Sequence, residues 1–295
     1  ESTLAPLVGR VQSKNTMIYP LPFNTVNSTS NIRYTTTESA QQTAGVNGVT
    51  FTVGTDELFG STLILFDVTT GGVLQPNNNS NIFVTGGFGS NSVTFEGTPI
   101  VDGNDYLLVH TVRHGSAASR SKTLQTDTTE VLAGAVPTLQ GGSQVQLNHS
   151  DVVRLKSVTT NAGSGEDITD RFELDTGQRD NIYDYGRLRL KPTAIIPKDG
   201  SADEDDLEVV YDYFVHGTGD YFDANSYSVP ITEIPSYQFS DGTSIALNDV
   251  IDFRPTIDNA SSFIGHPTPN TLAIVDVNRF VGRVDNISVN ISGDI

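Results

Sequence analysis

The chain has 295 residues, more than one ordinary hydrophobic core organises, so its length predicts two compact domains with connecting segments, or alternatively one large β domain. Its 17 Lys and Arg against 35 Asp and Glu give a formal net charge of −18, which should repel nucleic acid and anionic membranes. The lack of cysteine excludes disulfides, thiolate metal sites and a cysteine nucleophile. No stretch reaches the roughly 20 apolar residues that span a bilayer. We therefore expect neither a nucleic-acid nor a membrane partner.

The first segment, residues 1–44, is predicted to be an extended arm. It contains Pro6, Pro20 and Pro22, and it ends in a stretch of Thr, Ser and Gln at 35–43. Such a composition cannot bury enough apolar surface to fold alone. We expect the arm to lie against another domain or another chain.

Alternation of apolar and polar residues begins after this arm. Val49, Phe51 and Val53 share one face of a predicted strand, as a half-buried strand requires. Further short strands, separated by Gly-rich turns, follow up to a basic turn around 113–122. This spacing predicts a β-sandwich over residues 45–126.

A second β domain is predicted over residues 127–216. Its first part resembles a connection, and apolar runs such as 207–215 follow. Residues 217–295 are rich in aromatics, Pro, Asp and Ser, so we expect an irregular segment that wraps around the domains and ends in a strand at 287–291. The predicted fold class is therefore all-β, with two β-sandwich-like domains, an extended N-terminal arm and an irregular C-terminal wrap.

Catalysis and cofactor binding find little support in the residues. The five histidines lack a metal-binding spacing, because His110 and His114 are expected on and beyond the end of a strand. We interpret the acidic run 199–206 as a solvated hairpin tip rather than a calcium loop, since no Gly-punctuated ligand spacing accompanies it. Carboxylates could pair for glycoside hydrolysis, but the chain has no Trp to stack on a sugar. We predict no catalytic, cofactor-binding or metal-binding residues and no enzymatic activity.

The most distinctive stretch is residues 171–187, where arginines and aspartates alternate with aromatic residues. Guanidinium–carboxylate pairing and stacking on Tyr or Phe are both available there. Arginine also lies close to aspartate in the sequence around residue 284 and at Arg254. Pro255 biases Arg254 toward an extended conformation. We interpret these residues as an internal network that holds a long loop between strands, with a subunit contact or ligand site as the alternative. The candidate residues are Arg171, Asp175, Gln178, Arg179, Asp180, Tyr183, Asp184, Arg187, Arg254, Arg283 and Asp285.

Four blocks of this sequence together resemble a known family. They are FELDTGQRDNIYDYGRLRL at 172–190, VVYDYFVHGTGDYFDANSY at 209–227, DVIDFRP at 249–255 and FVGRVDNISV at 280–289. An upstream run, YLLVHTVRHGSAASRSKTL at 106–124, strengthens the likeness. These blocks resemble large virion structural proteins of contractile-tailed bacteriophages, including cyanophages. The resemblance covers roughly residues 100–290, so the N-terminal arm lies outside it.

The resemblance implies a baseplate or tail-fibre protein that holds neighbouring subunits together. Its expected location is the virion tail, and its expected partners are other tail or baseplate proteins, with a homo-oligomer such as a trimer as a further option. Family members are far longer, so the chain is expected to be an excerpt. The alternatives are a receptor-binding module that contacts host surface glycans through Tyr, Asn and Asp, and a sugar-cleaving tailspike fragment. No catalytic residue carries over from the family.

Overall fold

The fold is known from a computed structural model, which describes residues 2–3, 7–10, 17–21, 24–54, 56–75, 81–115, 117–197, 200, 205–257, 267 and 272–279. Within these residues the secondary structure is almost entirely β, so the all-β prediction is confirmed. The helices there are single 3-10 turns at Val136–Thr138, Asn161–Gly163, Thr169–Arg171, Ala224–Ser226, Ile231–Glu233 and Leu247–Asp249. None of the described helices has the length and apolar character needed to cross a membrane. The strand predicted at 287–291 and most of the acidic run 199–206 lie outside the described residues.

The described strands are numbered along the chain. They are β1 (Ser2–Thr3), β2 (Leu7–Arg10), β3 (Ile18–Pro20), β4 (Val26–Thr43), β5 (Val49–Thr52), β6 (Glu57–Asp67), β7 (Gly72–Leu74), β8 (Phe83–Gly86), β9 (Ser92–Glu96), β10 (Asp105–His114), β11 (Lys122–Leu132), β12 (Gln144–Ser150), β13 (Val152–Thr160), β14 (Phe172–Asp175), β15 (Tyr185–Leu190), β16 (Leu207–His216), β17 (Ser236–Gln238), β18 (Ser244–Ala246), β19 (Val250–Asp252) and β20 (Leu272–Arg279). Every pairing described between these strands is antiparallel.

The N-terminal arm contributes the longest described strand of the largest sheet. That sheet has the order β1-β20-β4-β10-β6-β7, and β2 also pairs with β20. The 18-residue strand β4 pairs with β20 through residues 26–33 and with β10 through residues 34–43. Its Thr- and Ser-rich sequence suits an extended strand, even though it has few apolar residues. The arm predicted over 1–44 is thus paired, in its described part, with strands of its own chain.

The first β-sandwich joins part of this large sheet to a small one. The small sheet has the order β5-β9-β8, and its Phe51 and Phe95 pack with Leu65 and Leu108 from the large sheet. Every second residue of β10 is buried, as the alternating sequence pattern predicts. Strand β8 lies at the edge of the small sheet, and all four of its residues are exposed.

The second β-sandwich consists of two three-stranded sheets, β11-β16-β13 and β12-β15-β14. Leu147, Leu188 and Val209 are among the fully buried side chains between them. The boundary predicted between residues 126 and 127 falls inside β11, which runs across it as one strand. Asp127 has a left-handed φ of 55°, and the pairing with β16 changes register between Gln125 and Thr128. The polar run at this point is therefore a bulge within a strand rather than a linker.

The described part of the C-terminal segment is irregular and connects the two sandwiches. Short strands and single 3-10 turns alternate with loops over residues 217–257. Phe253 from this segment packs against Tyr34 of β4 at 4.9 Å between ring centroids, and Tyr227 packs against Phe214 of β16 at 5.4 Å. The wrap therefore contacts both the N-terminal strand and the second sandwich.

We predict that Phe95→Ala destabilises the first sandwich by about 3–5 kcal/mol, because the Phe95 ring is fully buried and its removal leaves a cavity. The matched control is Phe83→Ala on the neighbouring strand. Phe83 is 65% exposed, so its loss should change the free energy of unfolding by no more than roughly 0.5 kcal/mol. Urea unfolding of both variants measures the difference, and equal effects would contradict the assigned packing.

Candidate functional site: a buried ion network

Five ionisable side chains from distant parts of the chain meet inside the molecule. Lys122 begins β11, Asp151 lies between β12 and β13, and His216 ends β16. Asp252 ends β19, and Arg254 follows it. Their side chains are at most 4% exposed. Together with Gln178 and Tyr183, they form what we call the buried ion network.

Asp151 accepts hydrogen bonds from three side chains of this network. Its Oδ2 lies 2.7 Å from Lys122 Nζ and 2.7 Å from His216 Nε2. Its Oδ1 accepts from Gln178 Nε2 at 2.8 Å. Burial by itself would raise the pKa of Asp151, but the charge of Lys122 and the hydrogen bond with His216 outweigh burial and hold that pKa well below its usual range. Asp151 is therefore ionised and paired.

Arg254 and Asp252 form the second ion pair of the network. Arg254 Nε lies 3.0 Å from Asp252 Oδ1, and Nη2 lies 2.7 Å from Oδ2, so the guanidinium binds both carboxylate oxygens. Burial would raise the pKa of Asp252, but Arg254 lowers it below its usual value. A buried carboxylate is tolerated here because its charge is matched directly.

The Tyr183 hydroxyl joins the two ion pairs. It donates to Asp252 Oδ2 at 2.5 Å and accepts from Arg254 Nη2 at 2.5 Å and from Lys122 Nζ at 2.7 Å. A phenol has one donor and two acceptor positions, so this hydroxyl is fully used. Burial raises the pKa of Tyr183 well above its usual value, which keeps the donor proton in place.

Aromatic rings surround the Lys122 ammonium on several sides. Its Nζ lies 3.9 Å from the Tyr183 ring centroid, 4.6 Å from that of Phe222 and 5.2 Å from that of Tyr227. The negative ring faces attract a cation, and the interaction strengthens when water is excluded. Burial lowers the pKa of Lys122 below its usual value, although Asp151 and Asp252 oppose that effect.

Three of the candidate residues predicted from sequence belong to this network. They are Gln178, Tyr183 and Arg254. A fourth, Asp180, instead accepts from Tyr237 Oη at 2.7 Å and so attaches the 176–184 loop to the β17-β18 hairpin.

The other candidates form ion pairs closer to the surface or lie outside the described residues. Arg179 binds Asp175 through two hydrogen bonds of 2.8 and 2.7 Å. Arg187 lies 2.7 Å from Asp184. Arg171 pairs instead with Glu166, a residue outside the predicted set, at 2.7 Å. Arg283 and Asp285 lie outside the described residues.

Sequence reasoning missed Lys122, Asp151, His216 and Asp252 as members of one cluster. The alternation of inward and outward side chains along β11 and β16 could have indicated two of them. Lys122 shares a strand face with Leu124, and His216 shares one with Phe214, so both occupy inward positions normally held by apolar residues. Nothing local in the sequence indicates which carboxylates they meet.

A second buried polar cluster surrounds His114. Its Nε2 lies 2.7 Å from Thr36 Oγ1 and 3.2 Å from Glu38 Oε1, and its Nδ1 lies 3.0 Å from Asp56 Oδ2. Burial would lower the pKa of His114, but Glu38 and Asp56 outweigh burial and raise it above its ordinary value. The expectation that His114 lies beyond its strand is wrong, because β10 includes both His110 and His114 on one face.

Comparisons with known proteins add no family to these observations. Among the described residues, no group of three or more His, Asp or Glu side chains is arranged to hold a metal ion. Searches against family models, curated proteins and solved structures found no match for this chain. A functional assignment therefore depends on the sequence resemblance and on the geometry of the buried ion network.

We predict that Tyr183→Phe lowers the free energy of unfolding by roughly 1–3 kcal/mol, because Lys122, Asp252 and Arg254 each lose one hydrogen bond in a buried site. Tyr227→Phe is the matched control. Tyr227 packs beside the same ammonium, but no hydrogen bond of its hydroxyl with a described residue is found. Chemical denaturation should show a clearly larger loss for Tyr183→Phe, and equal losses would contradict the role assigned to its hydroxyl.

We predict that His114→Gln removes a pH-dependent part of the stability. The folded pKa of His114 is above the ordinary value of 6.5, so protonated His114 stabilises the fold fully below that value. This contribution is lost as the pH rises through the folded pKa. The difference in unfolding free energy between wild type and variant should therefore be largest below pH 6.5 and shrink as the pH rises above that value. A difference that stays constant as the pH rises would contradict the assignment.

Proposed function

We propose that this chain is a structural protein of a bacteriophage tail, in the baseplate or the tail-fibre attachment region, where it holds neighbouring subunits together. The observation that carries the proposal is the convergence of the phage-like sequence blocks on one buried network. Tyr183 comes from the first block, His216 from the second and Arg254 from the third, while Lys122 comes from the upstream run.

This convergence gives the distinctive residues an architectural role. Their donors and acceptors bind one another, and the network joins the second sandwich to the C-terminal wrap. The 176–184 loop is also joined to the N-terminal segment, since the Met17 amide donates to the Asp180 carbonyl at 3.0 Å. Buried residues that bind one another and join separate segments are what a scaffold protein needs, because its segments must keep fixed relative positions.

The outer surface supports subunit binding through strand β8. This edge strand pairs with β9 on one side, and its Phe83 and Val84 are 65% and 39% exposed. Phe88, just beyond the strand, is 45% exposed. Among the described residues β8 pairs on one side only, and an edge of this kind with exposed apolar side chains is suited to pairing with an extended segment of another chain. The partners proposed are other tail or baseplate proteins, with a homotrimer as a further arrangement.

The glycan-binding alternative receives less support. It requires a shallow surface lined by exposed tyrosines. All ten tyrosines of the chain lie among the described residues, and each is buried or half-buried. Exposed Asn and Asp side chains remain for such a surface, but the aromatic platform that would stack on a sugar is not supplied by Tyr.

The location is tested on purified virions with antibodies raised against the chain. We expect the protein in immunoblots of disrupted virions, and gold label at the baseplate or fibre base in electron micrographs. Label at the distal fibre tip would favour the receptor-binding alternative. An immunoblot without the protein would contradict a place in the virion.

The subunit contact is tested with Phe83→Asp, which places a charge in the middle of the proposed apolar contact. We expect at least a tenfold loss of affinity for purified tail proteins, or about 1.4 kcal/mol, measured by analytical ultracentrifugation. The control is Val46→Asp, which adds the same charge at an 84% exposed position outside β8, in the turn between β4 and β5. Unchanged binding of Phe83→Asp, or equal loss in both variants, would contradict the use of β8.

A further inference from the structure

We propose that the buried pair of Lys122 and Asp151 converts spontaneously into a covalent amide bond between the two side chains. The proposal concerns the chemistry of this pair alone, so it holds or fails independently of the bacteriophage assignment. It would make the second sandwich a cross-linked domain in a chain that has no cysteine for disulfides.

The two reacting groups are held together in a site that is shielded from bulk solvent. Lys122 Nζ lies 2.7 Å from Asp151 Oδ2, and the two side chains are 0% and 1% exposed. The rings of Tyr183, Phe222 and Tyr227 limit where the amine can move. Fixing two reactants at contact distance replaces a bimolecular encounter by an effectively unimolecular step. The exclusion of bulk water also disfavours the reverse hydrolysis.

The two oxygens of Asp151 have different surroundings. Oδ1 accepts a hydrogen bond from the Gln178 side-chain amide at 2.8 Å, which suits an oxygen that gains negative charge during attack and stays as the carbonyl. Oδ2 contacts Lys122 Nζ and His216 Nε2, both at 2.7 Å. Oδ2 is therefore the oxygen placed to take up protons and leave.

The reaction balances without an added reagent. The Lys122 ammonium passes one proton to Oδ2, and the neutral amine attacks Cγ of Asp151. Nζ then passes a second proton to the same oxygen, Oδ2, which it contacts, while the Tyr183 hydroxyl and Asp252 stabilise the cationic nitrogen of the intermediate until the Cγ–Oδ2 bond breaks. The Nζ–Cγ bond forms, the oxygen leaves as water with two protons from Nζ, and the nitrogen keeps the third. Burial lowers the pKa of Lys122, which favours the first deprotonation.

The bond would join two strands that do not touch each other in the sheet order. β11 and β13 both pair with β16, one on each side, and both are antiparallel to it. Lys122 begins β11, and Asp151 directly precedes β13. An amide between them crosses the end of β16 and closes the chain from 122 to 151, so force applied along the chain could not separate these strands.

The chain contains a matched pair that should not react. Lys156 Nζ lies 2.6 Å from Asp127 Oδ1, as close as the buried pair, but the two side chains are 30% and 69% exposed. Water solvates both ions there and competes at the carboxylate. Proximity is the same in both pairs, so a cross-link at one and not at the other would identify burial as the cause.

The test is the intact mass of the purified, denatured full chain. We expect the wild-type chain to be lighter than its sequence mass by one water molecule, and digestion to yield a branched peptide that joins residues 122 and 151. Lys122→Arg keeps a cation but cannot form this amide under these conditions, so it should have the full sequence mass. A wild-type chain of full mass overturns the proposal, whether or not the variant folds.

Loss of water at another position is distinguishable from the proposed bond. Succinimide formation at Asp102, Asp199 or Asp241, each followed by Gly, also removes one water, but it persists in Lys122→Arg. A mass loss retained in that variant, or a branched peptide that joins 156 to 127, overturns the proposal. A branched peptide that joins 122 to 151, absent from Lys122→Arg, supports it.

Discussion

The hydroxyl of Tyr183 is the contact on which the internal arrangement of this protein depends. It touches Lys122, Asp252 and Arg254, and so connects two ion pairs that come from separate parts of the fold. Removing charges from water costs several kcal/mol for each ion, and only complete pairing offsets that cost. The network is therefore more important for the relative position of the segments than for net stability.

The same use of buried polar groups attaches the N-terminal strand. Asp223 of the C-terminal wrap accepts from Thr29 Oγ1 at 2.5 Å and from Ser119 Oγ at 2.8 Å. Asp249 accepts from the Val26 amide at 2.8 Å. The contacts of Val26 and Thr29 join residues about two hundred positions apart, so a long loop must close before they contribute. The arm is consequently a part of the described fold that depends on the wrap.

The proposed scaffold role and the proposed amide bond place the same demand on the molecule. A tail component transmits force between neighbours, and a β-sandwich resists force only as well as its strands stay paired. The buried ion network lies where β11, β16 and the wrap meet, and the exposed edge β8 lies in the other sandwich. Under the two proposals, the contacts that hold the chain together and the contact with another subunit lie in different regions, so each can be changed by mutation without the other.

The sequence by itself determined the all-β class and the inward faces of strands such as β10, because these follow from local alternation of apolar and polar residues. It also indicated polar pairing for Gln178, Tyr183 and Arg254, from the chemistry of their side chains. Only the tertiary structure decided that residues 26–43 form a central strand and that Asp127 marks a bulge. It alone brought Lys122 to Asp151. Such pairings join segments that are far apart in sequence. Because periodicity is a local property of the sequence, it does not specify which distant residue forms the ion pair with a buried charge.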